Sequence, residues 1–106
     1  MAFGQTKDMA IKFVNSTGLT ISIPREGHRV KNPGGLEGWN NLTLGGSINN
    51  LSPGASRTVV QTLNVKADDD IQFEIQYGAG SDRDFVQQFT GLNTEDKNAT
   101  LTLTRH

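Results

Sequence analysis

Over residues 71–77 apolar and polar side chains alternate without a miss, Ile71, Phe73, Ile75 and Tyr77 falling on one side and Gln72, Glu74 and Gln76 on the other. A period of two marks a strand with one buried and one wet face, because successive side chains of an extended chain point to opposite sides of the sheet. The end of the chain repeats the pattern. Ala99, Leu101 and Leu103 are expected to point inward, while Thr100, Thr102 and Thr104, β-branched and suited to a pleated surface, point out. Both segments read as antiparallel strands.

Near the start, Met9, Ile11 and Phe13 alternate with Ala10, Lys12 and Val14. Asn15-Ser-Thr-Gly18 then supplies turn chemistry, and Leu19, Ile21 and Ile23 resume the alternation until Pro24 stops it. The pattern predicts a hairpin. A β-branched run over 58–65, introduced by Ser52-Pro-Gly54 and closed by Ala67-Asp-Asp-Asp70, predicts a second hairpin with strand 71–77. Phe85-Val-Gln-Gln-Phe89 is a shorter strand beyond the glycine- and aspartate-rich tip 78–84, and Leu42-Thr-Leu44 adds a further short one. No segment carries helical periodicity with caps, and no internal repeat is present. One sheet alone cannot cover its own apolar face, so the expected architecture is a small antiparallel β-sandwich of about six to eight strands.

Length agrees with this, since 106 residues close one core and not two: a single domain over 1–106, with 1–8 as an N-terminal segment outside the pattern. The segment 24–41 is the exception to the economy of the rest. It holds Pro24, Pro33, four glycines, several charges and the only Trp, with no alternation of its own. Long irregular connections are uncommon in compact domains and often functional, which makes this loop the expected binding region.

Composition narrows the partners. A net charge of −1 provides no broad positive field to gather phosphate backbones, so nucleic acid is excluded as a first partner. The absence of cysteine removes disulfides, thiolate nucleophiles and cysteine-ligated metals. No stretch has the length and apolarity of a membrane span, and residues 1–8 lack the basic start and apolar run of a secretory signal, so a soluble chain is expected.

Within the long loop, Trp39, Asn40 and Asn41 follow Glu37 and Gly38, with Arg25, Glu26, His28, Arg29 and Lys31 upstream. A sugar ring offers an apolar face and a rim of hydroxyls, so an aromatic plate beside amides and charges is the appropriate chemistry for it; a lipid headgroup calls on the same groups. Arg25, His28, Trp39, Asn40 and Asn41 are the expected ligand-binding residues. The competing reading makes Trp39 a core plug and the charges an ordinary solvated run.

The aspartates Asp68, Asp69, Asp70, Asp82 and Asp84 supply the hard oxygen ligands that calcium takes. The two tips that carry them flank one strand and emerge at its opposite ends, so they cannot share one ion without a bend, and solvated turn aspartates are the plain alternative. For catalysis there are only His28 and the terminal His106, no nucleophile elbow and no zinc-ligand spacing, so a non-enzyme with no resident cofactor is expected. Sequon matches at Asn15, Asn41, Asn50 and Asn98 are expected by chance in a chain this rich in Asn, Ser and Thr.

The stretch Ile11-Lys-Phe-Val-Asn-Ser-Thr-Gly-Leu-Thr-Ile-Ser-Ile23 resembles the opening hairpin of aegerolysin-type and other small toxin-like sandwiches. The resemblance implies a surface-binding or membrane-acting protein and brings no functional residues with it. The functional expectation is a recognition module, lectin-like or toxin-like, that contacts a cell-surface glycan or lipid headgroup through loop 24–41. The alternatives are an assembly module that pairs into homo-oligomers through a sheet face or strand edge, and a calcium-dependent sandwich.

Overall fold

The alternating segments become strands, and where each strand goes is decided by which sheet can cover its apolar side. The computed structural model describes residues 5–31, 38–65, 70–79, 84–93 and 96–105. Among the described residues nine strands follow one another: β1 (Gln5–Asn15), β2 (Ile21–Ile23), β3 (His28–Lys31), β4 (Trp39–Leu42), β5 (Ile48–Leu51), β6 (Ser56–Val65), β7 (Asp70–Ala79), β8 (Phe85–Asn93) and β9 (Asn98–Leu103). They form two packed sheets, the all-β sandwich the periodicity predicts. The smaller has the order β6-β1-β9. The larger is built on β7, with β3 and then β2 along one edge and β8 along the other; β4 pairs with β3, and β5 with β2.

Between the sheets lie Ile11 and Phe13 from β1, Ile21, Ile23 and Val30, Phe73, Ile75 and Tyr77 from β7, and Leu101 and Leu103 from β9. Each large side chain fully withdrawn from water contributes about 1.5–3 kcal/mol, so this cluster is the main stabilising term.

Three pairings differ from the sequence expectation. β1 and β2 do not form a hairpin: they lie in different sheets, and residues 16–20 carry the chain across the core as an arch. β6 and β7 likewise belong to different sheets, so the second predicted hairpin is also a crossing. β9 pairs with β1 in parallel, Ile11 opposite Ala99 and Phe13 opposite Leu101. The β7–β8 hairpin is antiparallel as expected. β1 begins at Gln5, within the segment read as lying outside the pattern.

The segment 24–41 is also corrected. It contributes β3 and most of β4, an antiparallel pair that extends the large sheet; its residues 32–37 lie outside the described part.

Two bulges keep the core in phase. In β5, Ile48 and Leu51 are both buried although three residues apart, because Ile23 pairs with Ile48 and Ile21 with Leu51. The extra residue is absorbed by Asn50 at φ 57°, a left-handed conformation asparagine tolerates better than most. β8 does the same between Phe89 and Leu92, with Gly91 at φ 77°.

Candidate functional site

The β3–β4 pair sets out the site. Along β3, His28 and Val30 turn inward, leaving Arg29 and Lys31 on the outer face. In the register, Lys31 is opposite Trp39 and Arg29 is opposite Asn41, so the indole and this amide share the outer face with both cations. Trp39 is half-buried. The Arg29 guanidinium carbon is 5.2 Å from the ring centroid, and the Lys31 ammonium 5.8 Å, both within cation–π range.

Arg29 is anchored from the next strand. Its Nε and Nη2 donate to Glu74 Oε1 at 3.1 and 2.9 Å, and Nη2 also reaches Glu74 Oε2 at 2.7 Å. Gln88 Nε2 on β8 donates to Oε2 from the other side at 3.1 Å. Glu74 is buried under these partners although it faces outward, and the Arg29 hydrogen bonds hold its carboxyl below the ordinary value of 4.5, against the opposing effect of burial. Arg29 itself keeps 44% of its side chain exposed. The result is a polar line across four strands, Trp39–Arg29–Glu74–Gln88 from β4 to β8, with a rigid sheet beneath it. A flat aromatic, a fixed fork of N–H donors and an exposed amide can together hold a ring bearing hydroxyls.

Of the residues expected to bind ligand, Trp39 and Asn41 join this face, and three stand elsewhere. His28 is buried in the core: its Nδ1 accepts from the Gln76 backbone N–H at 3.1 Å and its Nε2 donates to the Pro24 carbonyl at 2.5 Å. It pins the bend between β2 and β3 instead of facing outward. Arg25 is exposed in that bend, where its carbonyl accepts from Leu44 N–H at 2.8 Å. Asn40 points to the opposite side of β4 from Trp39, and its Nδ2 donates to the Gly38 carbonyl at 3.2 Å. Arg29 stands in the sequence as one charge of the loop's basic cluster, whereas nothing in the sequence marks Glu74 and Gln88 as site residues. Glu74 sits in the alternating run of β7, but the arginine that faces it is 45 positions away, and only the register brings them together.

The acidic tips separate as strand geometry requires. Asp70 opens β7, where its Oδ1 accepts from Asn93 Nδ2 at 3.0 Å; Asp84 is exposed just before β8, at the other end of the same hairpin. Asp68, Asp69 and Asp82 lie outside the described residues. Among the described residues no group of His, Asp or Glu is placed to hold a metal ion, and no helix is long and apolar enough to cross a membrane.

The resemblance of 11–23 to toxin-like sandwiches rested on a hairpin that the fold replaces with an arch between sheets. No protein family, curated protein or solved structure matches the chain.

Proposed function

We propose that this protein is a non-enzymatic recognition module that takes a saccharide on the outer face of its six-stranded sheet, at the Trp39 end. One observation carries the reading: a half-exposed indole stands on a rigid sheet beside an anchored arginine and an outward asparagine. A pyranose presents C–H groups to such a ring and hydroxyls to its neighbours. Arg29, fixed by Glu74, is the stationary wall. Lys31, on a flexible four-carbon stem, is the movable one, able to swing off the indole as the sugar arrives. A glycan is favoured over a lipid headgroup because Glu74 already neutralises Arg29, and a phosphate would meet that carboxylate in the same line.

The chain has one Trp, so its fluorescence reports this face alone. A glycan array followed by fluorescence titration is expected to give saturable binding, with Trp39→Ala weakening it at least about tenfold. Binding to phospholipid vesicles without any glycan response would replace the saccharide with a headgroup. Silence in both formats, with the Trp39 emission unmoved, removes the reading.

A further inference from the structure

We propose that the outer face of the three-stranded sheet is a self-association surface that takes a second copy of this chain, related by a two-fold axis lying across the strands. This face is on the other side of the sandwich from Trp39, and the inference does not depend on the saccharide reading. It rests on the pattern of side chains that the register sets out in rungs. Asp8 lies beside Thr62; Ala10 lies between Val60 and Asn98; Lys12 lies between Thr58 and Thr100; Val14 lies between Ser56 and Thr102. Apart from Lys12 these side chains are short, so the face presents little that would keep another sheet from packing at the usual distance of about 10 Å. Val60, at the β6 end of the Ala10 rung, is 59% exposed, the most exposed large apolar side chain among the described residues.

The two charges on these rungs decide the partner and its orientation. Asp8 and Lys12 stand on the same strand, one rung to either side of Ala10. An axis running along the Val60–Ala10–Asn98 rung reverses the strand direction of the second copy. Lys12 of each molecule then faces Asp8 of the other, Thr58 faces Thr62, and Val60 meets Val60 on the axis. An axis along β1 instead would bring Lys12 against Lys12 and Asp8 against Asp8. The face is therefore complementary to itself in one orientation and repelled in the other, which is what an isologous contact requires. Asp8 is already positioned, its Oδ1 accepting from the Thr62 hydroxyl at 2.6 Å. Opposite charges balanced on one small face offer no net field to nucleic acid, and the lack of large exposed side chains gives a membrane little to hold.

The size of the face sets the strength. Three strands about 4.8 Å apart and four rungs about 7 Å apart make a patch of about 10 by 21 Å, smaller than the ~800 Å² per partner of a stable complex. The dimer is accordingly reversible and concentration-dependent.

Sedimentation equilibrium from about 10 μM to about 1 mM, the range where weak contacts are read, is expected to show the mass rising toward twice that of the chain. Asp8→Lys or Lys12→Glu alone should raise the dissociation constant at least about tenfold, and the two together should restore it to within about threefold. Val60→Asp provides a second variant, expected to weaken the dimer whether or not the charges are swapped. All three positions are exposed, and circular dichroism verifies that each variant keeps the fold. A chain that stays monomeric throughout, a dimer indifferent to the single reversals, or a double reversal that fails to restore it overturns the proposal.

Discussion

Asn15 shows how much one side chain settles. It ends β1 fully buried, and its amide donates to the carbonyls of Leu19 at 2.6 Å and Leu51 at 2.9 Å. Its Oδ1 accepts from the Thr17 backbone N–H at 3.0 Å and the Thr17 hydroxyl at 2.7 Å. An arch between sheets leaves backbone groups without a ladder, and burying them unpaired costs about 1–3 kcal/mol each. Asn15→Ala is therefore expected to destabilise the fold by about 3 kcal/mol in denaturant unfolding. Asn15→Asp should be worse at neutral pH, because a carboxylate of the same shape faces two carbonyls with nothing to donate. If the aspartate variant proved as stable as the parent, the arch would have to be held by its apolar neighbours alone. The turn chemistry of Asn15-Ser-Thr-Gly18 was legible in the sequence. Whether that turn folds a strand back beside its predecessor or throws it across the core was not, because both outcomes bury the same alternate residues.

At the scale of strands the same distinction recurs. Periodicity states which side chains of β1, β7 and β9 face inward, and the core contains them; it is silent on partner and direction, hence the parallel β9 and the two crossings where the pattern predicts hairpins. β3 is hidden in the sequence for a different reason. Over His28-Arg-Val-Lys31 the inward positions are His28 and Val30, and a buried histidine makes a four-residue strand read as a charge run. With β3 hidden, the outer line from Trp39 to Gln88 could not be assembled, since it exists only once β3 is docked on β7. That docking has a pH signature. Arg29 holds the Glu74 carboxyl below 4.5, so the ionised pair contributes stability that is complete above the unfolded value and lost as pH falls through the lower folded one. Glu74→Gln should cost about 1–2 kcal/mol near neutrality, a value discounted for the exposure of Arg29. The gap to wild type should close as the pH falls through the lowered folded value, where the native carboxylate also gains its proton. Unfolding curves at several pH values test this; a gap that is the same in acid as at neutrality would assign Glu74 a packing role alone.

The sandwich as a whole must close two open seams, and it uses a glutamine at each. On one side Gln61 of β6 reaches the Thr43 carbonyl at 2.8 Å. Gly45 lies close beside it, where a Cβ would come within 2.6 Å of the Val60 carbonyl oxygen, so glycine lets the β4–β5 connection rest on the β6 edge. On the other side Gln87 of β8 stands in for a missing strand. Its Nε2 donates to the Thr102 carbonyl at 3.1 Å, while its Oε1 accepts from the Thr104 backbone N–H at 3.1 Å and the Tyr77 hydroxyl at 2.8 Å. The Tyr77 hydroxyl also reaches the Thr104 carbonyl at 2.5 Å, so one phenol ties the centre of the large sheet to the end of β9. Burial pushes the Tyr77 ionisation above its ordinary 10.0. A raised folded value means that the neutral phenol contributes stability present below the unfolded value and lost as pH rises through the folded one. Tyr77 is the only tyrosine, so alkaline absorbance titration reads the seam directly. Gln87→Leu is expected to lower stability by about 1–2 kcal/mol, the loss of partly exposed hydrogen bonds that water can replace in part. It should also let water reach Tyr77, moving its titration back toward 10.0 and flattening the loss of stability in alkali, so that the gap to wild type narrows at high pH. A variant that loses stability while Tyr77 titrates as before would show that the amide supports β9 locally, and that the seam is sealed by the core behind it.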